Sequence, residues 1–258
     1  MEDGAQIHIT EWGHGKRVVL VHGGTPGGGA VAFGAQRELE ERWHLVLPDR
    51  PGHGQSRRQG REDFERDAKL LGPLLGDGSH LVGHSYGGIV ALYMAVASPE
   101  AVHSLTLIEA PAYCFGAGDP AVDEMARVNR EFFENPPTDP VDMMRTFFSL
   151  VGIDMQLPDP VPEQFLPIAQ AFADDFGDIR GPDEAQIDAH ALTVGGYPIQ
   201  VLTSGRIAGF EGIAEAIAAQ TGGQHFVVPG TDHIVQNAGE PVNRLLESFW
   251  AATDDGNE

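Results

Sequence analysis

The chain has 258 residues, enough to bury a substantial core as one α/β domain with an insertion. Its formal net charge is -22 and its lysines are Lys16 and Lys69, a balance that repels nucleic acid and anionic membrane and favours solubility. One cysteine, Cys114, excludes an internal disulfide and fits a reducing cytosol, and no apolar run of about eighteen residues is present to span a bilayer.

In chain order, apolar runs with strand character occur at residues 5–12, 17–22, 43–48, 79–83, 104–108, 198–203 and 224–228. Runs such as Val18-Val19-Leu20-Val21 and Leu105-Thr106-Leu107-Ile108 are continuous rather than alternating, as expected of central strands covered on both faces. Helical patterns at 31–41, 64–75, 86–97, 209–220 and 241–252 separate them. This alternation predicts a mostly parallel, doubly wound sheet. It breaks between about Pro111 and Gly196, where helical patterns at 121–135, 140–151, 162–176 and 183–192 follow one another without a strand. That stretch holds eight of the 13 phenylalanines and four of the 6 methionines. It reads as a helical insertion, part ordinary core and part apolar cover for a substrate pocket. The acidic start Met1-Glu2-Asp3-Gly4 lacks the features of a secretory signal, so a cytoplasmic location is expected. The tail 253–258 reads as frayed.

Four pieces fall at the carboxyl ends of predicted strands, where open α/β sheets place their sites. Gly83-His84-Ser85-Tyr86-Gly87 crosses from strand to helix in a turn tight enough to need glycine on either side and to expose Ser85 Oγ. The run His22-Gly23-Gly24-Thr25-Pro26-Gly27-Gly28-Gly29 can present backbone N–H groups, but lacks the Gly-Lys-Ser/Thr ending of a phosphate-binding loop. Gly24, with Thr25 as the alternative, and Tyr86 are the candidate oxyanion donors. His233, in Pro229-Gly230-Thr231-Asp232-His233, is placed to exchange a proton with Ser85; His22, His53 and His84 read as loop-packing residues. No acid precedes Glu211 in Ser204-Gly205-Arg206-Ile207-Ala208-Gly209-Phe210, whereas Glu109 directly follows the strand 104–108. Glu109 is the leading candidate to orient the imidazole. Glu211, Asp232 and a Ser–His pair without a carboxylate are the alternatives.

Together with Asp49-Arg50-Pro51-Gly52-His53-Gly54-Gln55-Ser56, these segments resemble the α/β-hydrolase superfamily over residues 5–252. The resemblance implies a core of residues 1–110 and 197–258 and a cap or lid of 111–196. It implies a nucleophile, acid and histidine in the order Ser85, Glu109 and His233. An acid after the strand preceding the usual one resembles some lactone hydrolases and haloalkane dehalogenases; the latter use an aspartate nucleophile, unlike Ser85. The expected activity is hydrolysis of a carboxylic ester or lactone of a mainly apolar small molecule, with no metal or organic cofactor. The same scaffold also carries carbon–carbon bond hydrolases, cofactor-free lyases and noncatalytic binding proteins. Substrate-binding residues stay unassigned, and a homo-oligomer stays open.

Overall fold

The computed structural model describes residues 6–25, 27–158, 160–176 and 179–255. Strands β1 (Ile9–Trp12), β2 (Lys16–Val21), β3 (Trp43–Pro48), β4 (Ser79–His84), β5 (Val102–Ile108), β6 (Ile199–Thr203) and β7 (Gln224–Val227) form one sheet in the order β1-β3-β2-β4-β5-β6-β7. β1 is antiparallel to β3 and every other neighbour is parallel. The helices are α1 (Gly28–Ala32), α2 (Phe64–Leu71), α3 (Tyr86–Ala97), α4 (Pro120–Glu134), α5 (Pro140–Leu150), α6 (Leu166–Phe176), α7 (Ala189–Thr193), α8 (Ala208–Thr221) and α9 (Glu240–Asp255).

The unbroken apolar runs follow from burial on both faces. Val19 and Val21 of β2 join a core with Phe64 and Leu71 of α2, Ile89 of α3 and Ile213 of α8. Val18 and Leu20, pointing the other way, pack with Val242, Leu246 and Trp250 of α9. Between β5 and β6 the chain runs through α4 to α7, and the isolated pairing of Glu62 with Ile179 ties this stretch back to the loop before α2. Asp119-Pro120 and Asp139-Pro140 start α4 and α5: each aspartate accepts two backbone N–H groups while proline occupies the first turn. The phenylalanines pack on one another here, with Phe172 and Phe176 stacked at 4.2 Å and Phe147 at 4.4 Å from Phe176.

Several element limits differ from expectation. The helix expected at 31–41 is the short α1 followed by a 3-10 run, Gly34–Glu41. There the Ala35 carbonyl accepts from Asn243 Nδ2 at 2.9 Å. Gly72-Pro73 ends α2 early, and a 3-10 turn (Glu163–Phe165) precedes α6. The helix expected at 183–192 is a 3-10 turn, Pro182–Glu184, and the separate α7, which Asp188 caps at its own start. The first strand begins at Ile9, with residue 5 outside the described residues. The expected fraying from Thr253 is wrong as far as Asp255: α9 continues, Thr253 is buried, and Asp254 pairs with Lys16 at 3.0 Å. Residues 256–258 lie outside the described residues.

Candidate active site

β4 ends at His84 and α3 begins at Tyr86, leaving Ser85 at the corner with φ 52° and ψ -128°. Space at the corner requires glycine twice. A Cβ on Gly83 would stand 2.6 Å from the Gly87 carbonyl oxygen, and one on Gly87 2.3 Å from those of Val21 and His22. Among the described residues, the non-glycine residues with positive φ are Ser85 and Glu109, at 52° and 47°. Such backbone costs about 1–3 kcal/mol each and persists only where its surroundings over-determine it. Here they do: Ser85 N–H donates to the Ile108 carbonyl at 2.8 Å, and Glu109 N–H to that of Leu202 at 3.0 Å.

The sheet brings the dispersed candidates together. Ser85 Oγ lies 2.9 Å from His233 Nε2, and His233 Nδ1 lies 3.3 Å from Glu109 Oε2. With the Nδ1 proton facing the carboxylate, the Nε2 lone pair is left to accept from Ser85. The other Glu109 oxygen, Oε1, accepts the Ser204 N–H at 2.6 Å, so the loop after β6 supplies a donor where an acid was first sought. Phe210 stacks on the His233 ring at 5.1 Å. Glu211 accepts from Gly205 N–H at 3.1 Å and stands 3.5 Å from His225, and Asp232 accepts from Ile234 N–H at 2.8 Å. Neither shares a hydrogen bond with His233.

His84 Nε2 donates to the His233 carbonyl at 3.0 Å, while its Nδ1 is buried without a partner among the described residues. Burial and the neighbouring His233 push the His84 pKa down to about 3, so the ring stays neutral behind the site. His22 is also held neutral, chiefly by burial and then by Arg50; its Nδ1 donates to the Gly23 carbonyl at 2.7 Å and its Nε2 accepts from Arg50 N–H at 2.9 Å.

Gly24 and Tyr86 flank Ser85 in the cavity wall. Thr25 N–H is engaged by the Gly23 carbonyl at 2.9 Å, whereas Gly24 N–H has no acceptor among the described residues. Tyr86 N–H belongs to the unpaired first turn of α3. Pro26 lies outside the described residues. Beneath this loop the fully buried Arg50 donates through Nε to the His22 carbonyl at 2.8 Å and through Nη2 to that of Gly23 at 3.1 Å. Its Nη1 meets Glu62 at 2.5 Å and Asp67 at 3.1 Å, and its guanidinium sits 4.9 Å from the Tyr86 ring centre. Burial alone would raise the Glu62 pKa; Arg50 and His53 together outweigh it and hold Glu62 at about 2. Sequence reasoning missed this brace, because nothing in Asp49-Arg50-Pro51 separates a buried guanidinium from a surface one.

A cavity of about 210 Å³ opens onto Ser85 and His233, walled mainly by Phe133, Phe147, Phe148, Phe176, Phe210 and Ile179. Glu62 reaches its wall, and no lysine or arginine does among the described residues. Most of these apolar side chains come from the stretch between β5 and β6. No helix among the described residues is long and apolar enough to cross a membrane.

The chain is similar to pimeloyl-[acyl-carrier protein] methyl ester esterase of Aeromonas hydrophila subsp. hydrophila, 35% identical over 115 residues, covering 44% of each chain. It is also similar to 2-hydroxy-6-oxo-6-phenylhexa-2,4-dienoate hydrolase of Burkholderia cepacia, 30% identical over 120 residues, 40% of this chain and 39% of that one. These matches thus span less than half the length of either relative. A thermophilic esterase from Thermogutta terrifontis superposes with a TM-score of 0.67 at 21% identity, over 96% of this chain and 93% of that one, a likeness of fold. The family model described as alpha/beta hydrolase fold matches residues 16–151, more than half of the chain. The chain therefore belongs to the α/β-hydrolase family.

Proposed function

We propose that the protein is a serine hydrolase of carboxylic esters or lactones of mainly apolar small molecules. The observation that carries this reading is the Ser85 Oγ–His233 Nε2 contact of 2.9 Å, which faces an apolar cavity. Ser85 Oγ attacks the substrate carbonyl as its proton passes to His233 Nε2, forming a tetrahedral oxyanion. The N–H groups of Gly24 and Tyr86 receive that charge, which is greater in the transition state than in the substrate. Glu109 fixes the ring and opposes the positive charge of the imidazolium. The imidazolium returns the proton to the leaving alkoxide as the carbon–oxygen bond breaks, releasing the alcohol, or leaving it tethered to the acyl group if the substrate is a lactone. Water, deprotonated by the same nitrogen, then cleaves the acyl-enzyme and regenerates Ser85.

On this reading residues 111–196 are a cap that shapes the pocket, and 1–110 with 197–258 form the catalytic core. The similarity to an ester-cleaving relative supports oxygen-ester chemistry. Carbon–carbon cleavage of a dienoate is the less favoured reaction: among the described residues no lysine or arginine lines the cavity to pair with its carboxylate. A fluorophosphonate probe tests the nucleophile. It should label wild type at Ser85 in a 1:1 adduct and leave Ser85→Ala unlabelled; equal labelling of both would overturn the assignment.

A further inference from the structure

At the opposite end of β4 from Ser85, three potential ligands converge from separate parts of the chain. His80 lies near the start of β4, His103 near the start of β5, and Asp254 in the last turn of α9. One ligand atom from each lies within 4.8 Å of the others. We infer that His80, His103 and Asp254 form a binding site for a divalent transition-metal ion of the zinc type. The site is separate from the ester-cleaving machinery, so it stands whether or not the proposed function is correct.

Three features of local construction support it. His80 is fully buried, its ring stacked 5.8 Å from Trp250 and set edgewise 5.4 Å from Trp43. Its Nδ1 meets Ser104 Oγ at 2.8 Å, and in the tautomer with hydrogen on Nδ1 the hydroxyl oxygen accepts that N–H. The opposite nitrogen, Nε2, is buried with no hydrogen-bond partner, although Asp254 Oδ1 stands 3.5 Å away. In this tautomer a lone pair faces a carboxylate oxygen, an arrangement a cation between them would relieve. A hydrogen bond fixing the far nitrogen is the usual support of a metal-ligating histidine.

Second, β5 carries an irregularity at this place. Ser79 pairs with Val102 but His80 with Ser104, so His103 is an extra residue against β4. Bulges of this kind re-aim a side chain. Gly78 makes room for it: a Cβ there would lie 2.2 Å from His103 Nε2. The two imidazoles meet edge to face at 5.6 Å. Third, Asp254 is held in place: Oδ2 pairs with Lys16 Nζ at 3.0 Å, which leaves Oδ1 directed at His80.

Two imidazole nitrogens and one carboxylate oxygen make a donor set that zinc, cobalt and nickel accept, with water completing four-coordination. Ligand atoms on tetrahedral zinc stand roughly 3.3 Å apart, so binding draws this set together by up to about 1.5 Å. Asp254, near the end of α9, has the shortest tether to move. A depression of about 280 Å³ lined by His103, Tyr197 and Thr253 adjoins the cluster and offers a route in. Bound metal would cross-link the last turn of α9 to the sheet. The spacing of these residues along the chain forms no ligand motif, so only the fold brings them together.

The test is titration of the untagged 258-residue chain with Co2+ and Zn2+. Saturable binding at one ion per chain is expected, with the visible absorption of four-coordinate cobalt, displacement by zinc, and a zinc-dependent rise in Tm of several degrees. His103→Ala and Asp254→Asn should each weaken binding by about a hundredfold or more, at or beyond the upper end of what supporting contacts are worth. Both positions are partly exposed, and metal-free melting checks that each variant folds. Ser104→Ala, which removes the hydroxyl beside His80 Nδ1, gives a third comparison and should weaken binding about tenfold. Absence of stoichiometric cobalt binding overturns the inference, as does the same affinity in wild type, His103→Ala and Asp254→Asn.

Discussion

Glu109→Gln is the perturbation that most sharply tests the acid assignment. The side chain keeps its shape, and its carbonyl oxygen can still accept the Ser204 N–H, as Oε1 does at 2.6 Å. That bond locks the amide. Its NH2 must face His233, because the flipped amide would set two donors against each other at Ser204. An NH2 at the 3.3 Å position makes His233 Nδ1 an acceptor and moves the ring proton to Nε2, facing Ser85. The histidine then cannot take the serine proton without losing its own. The imidazolium also loses a carboxylate at 3.3 Å, an attraction on the order of 5 kcal/mol at an effective dielectric constant near 20. Partial compensation by solvent and dipoles brings the expected loss in kcat to about 10³–10⁴-fold, the scale known for an acid-to-amide change in a serine triad. KM should change by about twofold or less, since Glu109 is not among the residues lining the cavity. Stopped-flow or steady-state hydrolysis of a small p-nitrophenyl ester measures both, and thermal melting checks the fold. A well-folded variant with kcat within about tenfold of wild type would refute the assignment and leave the serine–histidine pair acting without this acid.

Further predictions concern the frame around the site. Glu62→Gln should destabilise the protein at neutral pH by roughly 3 kcal/mol, the scale of a depression from 4.5 to about 2. Because the folded pKa lies below the unfolded one, this stability is present above about pH 4.5 and is lost as the pH falls toward 2. Urea unfolding at several pH values should therefore show the gap between wild type and variant narrowing below about pH 4.5, and a gap independent of pH would refute the linkage. Arg50→Lys retains charge but cannot span two carbonyls and two carboxylates, so kcat should fall at least about tenfold and stability by about 3 kcal/mol. Unchanged ester hydrolysis and melting would show that Arg50 does not hold the loop. Gly87→Ala places a Cβ 2.3 Å from two backbone oxygens and should cost about 3 kcal/mol or more by denaturant unfolding.

The path from sequence to site was legible where local physics and periodicity agreed. Continuous apolar strands read correctly because both sheet faces are covered, and the strand-to-helix turn at Ser85 was legible because Gly83 answers a contact inside that turn, although Gly87 answers carbonyls of β2 and its following loop. Element ends were less readable. The 3-10 run after α1 is tied through Ala35 to Asn243, more than two hundred residues away, and α9 persists through Asp255 with Lys16 paired to Asp254. Neither partner is visible in a local window.

Sequence by itself determined the chemical repertoire: a serine on a glycine-bounded turn, a histidine after the last strand and an acid at the end of β5, each placed by its own strand. Tertiary structure decided which groups share protons and which are already engaged. It joined Glu109 to His233, occupied Glu211 and Asp232 elsewhere, buried Arg50 beneath the glycine loop, and gathered His80, His103 and Asp254 at the far end of the sheet. The reason is one of range. Backbone preference and hydrophobic period act over a few residues, whereas hydrogen bonds and charge pairing act across a few ångströms between segments that only folding brings into contact.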